Sequence, residues 1–286
     1  MRTYNEIKQL LRQIKDNDYV IPDGVDTDAL ITDMLKFVGH TDAEFRDELI
    51  YSTFSSWVDN DTLSAVQMKH ILATCLDDQH LFFGIGESGT DAVFTRAFSS
   101  LLISVAIYMH EESPFLTTGE IRDIKETVLR YVNQEKDYRG YVDGKGWAHA
   151  VAHIADALAN IAGCNVALDS EEYVIGREGM FEMLQAVKTL VCNSECVYTA
   201  EEDERLAVVF MNVIWSEVLT TEELTGWIAG FNMADNEWWN GSMPEDYYLH
   251  VNRKNFMRSL YFKLLADKDY EKICEFMLGF LVESEE

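Results

Sequence analysis

Apolar residues in this chain recur mostly at helical spacing. Tyr4, Ile7, Leu11 and Ile14 fall on one face, because positions three and four apart are neighbours on a helix. Thr3 with Glu6, Ser64 with Gln67 and Thr117 with Glu120 each have the form of a capping box. In that arrangement the two side chains satisfy backbone N–H groups that the first helical turn leaves open. Ile121, Ile124, Val128 and Val132 follow the third box as a clean stripe. Residues 90–110 are apolar nearly all round, which predicts a central helix packed on several sides. Further helices are predicted over 26–38, 42–58, 144–162, 174–192, 202–218, 221–231, 249–266 and 269–283, with Gly, Asn and Asp turns between them.

No segment alternates apolar and polar residues convincingly enough to predict a β-strand. About eleven helices of ordinary length joined by short turns predict an all-α protein, a single helical domain over 1–286. Successive antiparallel hairpins of similar size favour an α–α superhelix of HEAT or armadillo character. A compact helical bundle is the alternative.

Composition adds limits to this picture. With 286 residues and 48% apolar content, the chain is long enough to remove roughly 75% of its unfolded surface from water. Its 23 Lys and Arg against 50 Asp and Glu give a formal charge of −27. Such a field repels phosphate backbones and anionic lipid, which argues against nucleic-acid and membrane partners. Five cysteines in apolar helical contexts suit small buried side chains in a reducing compartment. The charged N-terminal stretch does not read as a signal peptide. The longest apolar run, Ala97 to Met109, is shorter than the roughly 20 residues of a bilayer span. A cytoplasmic location is the expectation.

One stretch concentrates candidate chemistry, from Asp137 to Asn160. His149 and His153 are four apart and Asp156 follows three later, so a continuous helix would set all three on one face. Two imidazoles and a carboxylate could bind a divalent metal or orient a histidine for acid–base work. Ala150 stands where a zinc protease of the HExxH type would need its glutamate. The competing reading is a polar layer satisfied by neighbouring protein groups, with alanines at 148, 150, 152, 155 and 157 allowing close packing.

Ahead of that helix, Asp137, Arg139, Tyr141, Asp143, Lys145 and Trp147 crowd a glycine-rich turn. A helix N-terminus there could receive an anion with help from Arg139 or Lys145. The simpler expectation is that Asp143 caps the helix and Trp147 fills the gap beside it. Arg96, inside an apolar helix, should meet a carboxylate in bidentate fashion, with Asp47 and Asp156 as candidate partners. Gly84, Gly86 and Gly89 match a dinucleotide-binding fingerprint only by accident, since no strand precedes them and Glu87 would repel a pyrophosphate. Trp238, Trp239, Tyr247, Tyr248 and His250 precede a short basic stretch, and aromatic packing under a loop fits them better than single-stranded nucleic acid does.

The segment DYRGYVDGKGWAHAVAHIADAL, with RDELIY at 46–51, DAVFTRAFS at 91–99, EDERLA at 202–207 and NFMRSLYF at 255–262, resembles the bacterial domain-of-unknown-function family 2785. The chain departs from the family pattern at Ala97 and Ile154. The resemblance implies a helical fold and a bacterial cytoplasmic protein, and it implies no activity.

These readings converge on a non-enzymatic binding or interaction scaffold with a polar concave groove centred on residues 137–156. Arg96, Asp137, Arg139, Tyr141, Trp147, His149, His153 and Asp156 would be its ligand-binding residues, with Arg205 and Arg258 as further lining. The partner would be a protein, a peptide or a small anionic ligand, and no cofactor is expected. The alternative is a metal-assisted hydrolase in which His149, His153 and Asp156 hold a divalent ion.

Overall fold

The computed structural model describes residues 2–167, 173–231 and 239–283. The protein is all-α: twelve α-helices and one two-residue-per-strand hairpin account for its regular structure among the described residues, apart from short π and 3₁₀ segments. The chain divides into two compact units, Met1–Ala157 and Leu158–Glu286, and each is considered by itself.

The first unit opens with α1 (Tyr4–Asp16), whose Thr3–Glu6 capping box is formed and whose Ile7, Leu11 and Ile14 are buried. It packs against α2 (Thr27–Lys36) and against a π-helical segment, Glu44–Tyr51, that runs directly into α3 (Ser52–Asp59). The 42–58 periodicity thus marks the right span, but its first half is wound with the wider hydrogen-bond register of a π-helix. After α4 (Ala65–Cys75) comes α5 (Ala92–Glu112), in which 15 of 21 residues are buried. By length and composition α5 could cross a bilayer, yet 78% of its most apolar window lies inside the unit. Gly39 allows a close approach to α5, because a Cβ there would stand 2.4 Å from the Thr95 Cα. Helix α6 (Thr118–Gln134) begins with the formed Thr117–Glu120 box and buries Ile121, Ile124, Val128 and Val132.

Residues 141–147 correct the expectation of a helix over 144–162. They form an antiparallel hairpin, β1 (Tyr141–Val142) and β2 (Gly146–Trp147), with Tyr141 opposite Trp147. Lys145 N–H donates to the Val142 carbonyl across the turn, and Gly144 takes φ +74° at its third position, where a left-handed residue is needed. The following helix, α7 (Ala150–Ala167), therefore starts six residues later than the periodicity suggests, and it continues into the second unit. Asp143 sits exposed at the hairpin tip, away from the start of α7.

The second unit holds α8 (Arg177–Val191), α9 (Glu202–Trp215), α10 (Thr221–Ala229), α11 (Glu245–Leu264) and α12 (Glu271–Glu283). Helix α11 packs against α8, α9 and α12. Phe210, Trp227, Phe231 and Phe256 form an aromatic cluster, and Asn252 ties the Tyr198 N–H to the carbonyls of Asn193 and Cys196. No disulfide joins any of the five cysteines. Trp239 and Tyr247 are exposed, whereas Arg253 is buried with its guanidinium on the Phe231 carbonyl. Trp238 lies outside the described residues.

Candidate functional site

The fully buried Arg46 bonds the backbone of the hairpin of residues 141–147, while a buried Arg96–Glu135 pair holds the stretch leading into it. Arg96 of α5 makes a bidentate pair with Glu135, at 2.7 Å from both Nε and Nη2. Its remaining donors reach the carbonyls of Phe83, Gly84 and Glu87, so the glycine-rich loop is wrapped around a guanidinium. The expectation of a bidentate carboxylate holds for Arg96, but the partner is Glu135 and not Asp47 or Asp156. Glu135 also accepts from the Tyr131 hydroxyl at 2.6 Å and from the N–H groups of Lys136 and Asp137. Burial alone would weaken the charge on Arg96; the Glu135 hydrogen bond overrides it and raises the guanidinium pKa. Tyr131, enclosed beside the same carboxylate, is held well above its ordinary value by burial and by Glu135.

Asp137 continues the network. Its carboxylate accepts from the Gly89 N–H at 2.9 Å and from Arg139 Nε and Nη2 at 2.8 and 2.6 Å. Arg139 also donates to the Thr90 carbonyl, and its pKa is raised chiefly by the Asp137 hydrogen bond. Lys145 pairs with Asp91 at 2.5 Å. The loop at 84–91 is thereby joined to the hairpin and the stretch leading into it by three separate polar contacts.

Arg46, on the π-helical segment, supports the hairpin from the other side. Its guanidinium donates to the carbonyls of His40, Lys145 and Trp147 at 2.7, 2.9 and 3.1 Å. It lies over the faces of Phe94 and Phe98, 4.4 and 4.6 Å from their centroids, a favourable cation–π arrangement. Burial pushes its pKa down to about 10, against the weaker pull of Asp47 and Asp42. Gly146 is required here: its φ is +80°, and a Cβ on it would stand only 2.7 Å from the Ala43 Cβ. Arg46 is the site residue that sequence reasoning misses. RDELIY falls within the predicted 42–58 helix and enters only the family resemblance; the π winding that places Arg46 against the carbonyls is not legible there.

Above this base the aromatic rings form a ladder. Tyr141 is 59% exposed and Trp147 38%, with centroids 5.1 Å apart at 80°. Trp147 stacks on His149 at 4.2 Å, His149 meets His153 edge-on at 5.7 Å, and His153 meets Phe98 edge-on at 5.1 Å. Trp147 is therefore half outside, where a buried plug was expected. His149 is not on the helix at all: it precedes α7 with φ +52°, which turns it away from the shared face that a continuous helix would give. His153 Nδ1 lies 3.2 Å from the Ala97 carbonyl, and Asp156 is half-buried on the next turn. Among the described residues no three His, Cys, Asp or Glu side chains come together as a metal-holding group. Arg205 and Arg258 stand exposed on α9 and α11 of the second unit.

The fold and this region together define an all-α protein in which a web of buried charge holds a small aromatic hairpin at the surface. The chain belongs to the family described as protein of unknown function (DUF2785), which matches residues 81–262. That span includes the hairpin, Arg96 and the Glu135–Arg139 stretch, while Arg46 lies outside it. No curated protein and no solved structure matches the chain.

Proposed function

We propose that this protein is a non-enzymatic binding protein whose recognition surface, within residues 137–156, is the Tyr141–Trp147 hairpin. The observation that carries this reading is the contrast between the rings and what lies beneath them. Two large aromatic side chains are left partly in water on a turn whose backbone is held by Arg46 and, through Arg139, by Asp137. Such rigid, amphipathic rings are common anchors at protein interfaces, since they bring contact area with little loss of rotamer freedom. A polypeptide partner fits better than a small anion, because Arg96, Arg139 and Lys145 are each paired with Glu135, Asp137 and Asp91.

A photo-crosslinking amino acid placed at position 141 in cells tests the reading. Val66, 80% exposed in the same unit, is the control position. A discrete adduct is expected from 141, lost on Trp147→Ala and absent from 66. Equal adducts at both positions, or one indifferent to Trp147→Ala, would refute the assignment.

A further inference from the structure

His110, in the last turn of α5, is only 1% exposed. Its Nδ1 accepts the N–H of Phe115 at 2.9 Å and that of Leu116 at 3.0 Å. A ring nitrogen that accepts hydrogen bonds carries no proton, so this imidazole is neutral with its hydrogen on Nε2. Nε2 is buried and has no hydrogen-bond partner among the described residues. The ring also meets Phe115 edge-on at 5.5 Å. One lone pair thus holds the reversal between α5 and α6, just before the Thr117 cap. Leu116 also lines a groove of about 370 Å³, with Leu72 of α4, Leu76 just past its end and Ile124 of α6 among its other walls.

We propose that His110 is a proton-operated latch: protonation at Nδ1 breaks both amide hydrogen bonds, frees residues 113–116 and withdraws Leu116 from its wall of the groove. The chemistry follows from the ring itself. A protonated imidazole has two donors and no acceptor, so both backbone N–H groups would then face another N–H. The charges facing His110 are Lys69 from α4, which opposes the proton, and Glu120 from α6, which favours it. Glu111 and Glu112 follow on α5 itself, and the C-terminal end of a helix favours a cation. Burial outweighs these and keeps the imidazole below its ordinary value of 6.5. A folded-state pKa below the unfolded one carries no cost above the unfolded value. The cost grows as pH falls through about 6.5 toward the folded value, so the latch opens on acidification.

Amide hydrogen exchange of the full chain by NMR, corrected for the intrinsic effect of pH, reads the latch directly. As pH falls from about 6.5 toward the folded value, the protection of Phe115 and Leu116 is expected to drop about tenfold per pH unit. The Ile121 amide, bonded to the Thr117 carbonyl, should keep its protection. His110→Asn offers a carbonyl oxygen near the Nδ1 position, an acceptor that does not titrate, and should hold both amides at either pH. Protection that survives in the parent down to about pH 5 overturns the proposal. So does acid opening that persists undiminished in His110→Asn, since another group, Glu111 first, would then be responsible. If that variant does not fold, the imidazole ¹⁵N shifts of the parent decide. Protonation coincident with loss of the two amides supports the latch, and protonation without that loss overturns it.

Discussion

Arg96 and Arg46 are both fully buried in the first unit, but their surroundings differ in kind. Arg96 faces the Glu135 carboxylate head-on and directs its other donors to three carbonyls. Arg46 hydrogen-bonds no carboxylate among the described residues; it has three carbonyls and two phenyl rings, and its Nε has no hydrogen-bond partner among those residues. The first arrangement compensates a buried charge with an opposite charge, but removes both from water. The second spreads the charge over dipoles and ring faces, which leaves it less stabilised, as the lowered pKa records. Arg96 therefore anchors a loop to α6, whereas Arg46 holds the backbone of the exposed hairpin and can yield without stranding an anion.

The largest effect should come from breaking the compensated pair. Glu135→Ala leaves Arg96 buried without its carboxylate, and is expected to cost about 3–5 kcal/mol in urea unfolding. A loss under about 1 kcal/mol would show that water reaches Arg96 and that the two arginines are not distinct. Arg46→Met keeps volume while orphaning three carbonyls. A loss of about 2–3 kcal/mol is expected, together with a change in hairpin amide shifts that Glu135→Ala does not reproduce.

Glu111 sharpens the comparison from another direction, because a carboxyl can answer burial by keeping its proton and arginine cannot. Its Oε1 is buried without a hydrogen-bond partner among the described residues, and burial, helped by Glu112, raises its pKa from 4.5 to about 7. The folded state then holds a proton that the unfolded state releases, so stability should decline as pH rises from about 4.5 to about 7 and level off beyond. Melting curves of Glu111→Gln against pH are expected to lack that decline; a matching decline would assign it elsewhere. The smallest effect should be that of Tyr141→Ala, within about 0.5 kcal/mol of the parent. A larger loss would mean that the hairpin rings hold the fold together and are not spare surface.

Much of this architecture can be read from the sequence, and the parts that cannot share a cause. All three capping boxes named from spacing are formed, since a cap depends only on residues three apart. A fourth, Thr220 with Glu223, is equally local and is also formed. The need of Arg96 for a bidentate carboxylate is legible because an apolar helix cannot hold a bare cation. Its partner is not, because Glu135 lies 39 residues away, just past the end of another helix. The Asp143–Gly144 pair is a known hairpin signal, yet with only two residues per strand there is no alternation to support it. His149 and His153 fit a helical face on paper, and the left-handed backbone at His149 takes that face apart. The role of Arg46 depends on backbone winding, which no side-chain pattern encodes.

That winding has a consequence for how this region tolerates change in length. A π-helical stretch holds close to one residue more per turn than an α-helix would. Wound as an α-helix with the same residues, the segment would turn Arg46 by about 100° relative to α3 and off the hairpin carbonyls. Deleting one surface position within 44–51, such as Glu48, would let it take the tighter spiral with Arg46 still facing them. An extra residue carried in a helix thus serves as an alignment shim for a surface feature nearly a hundred positions further along the chain.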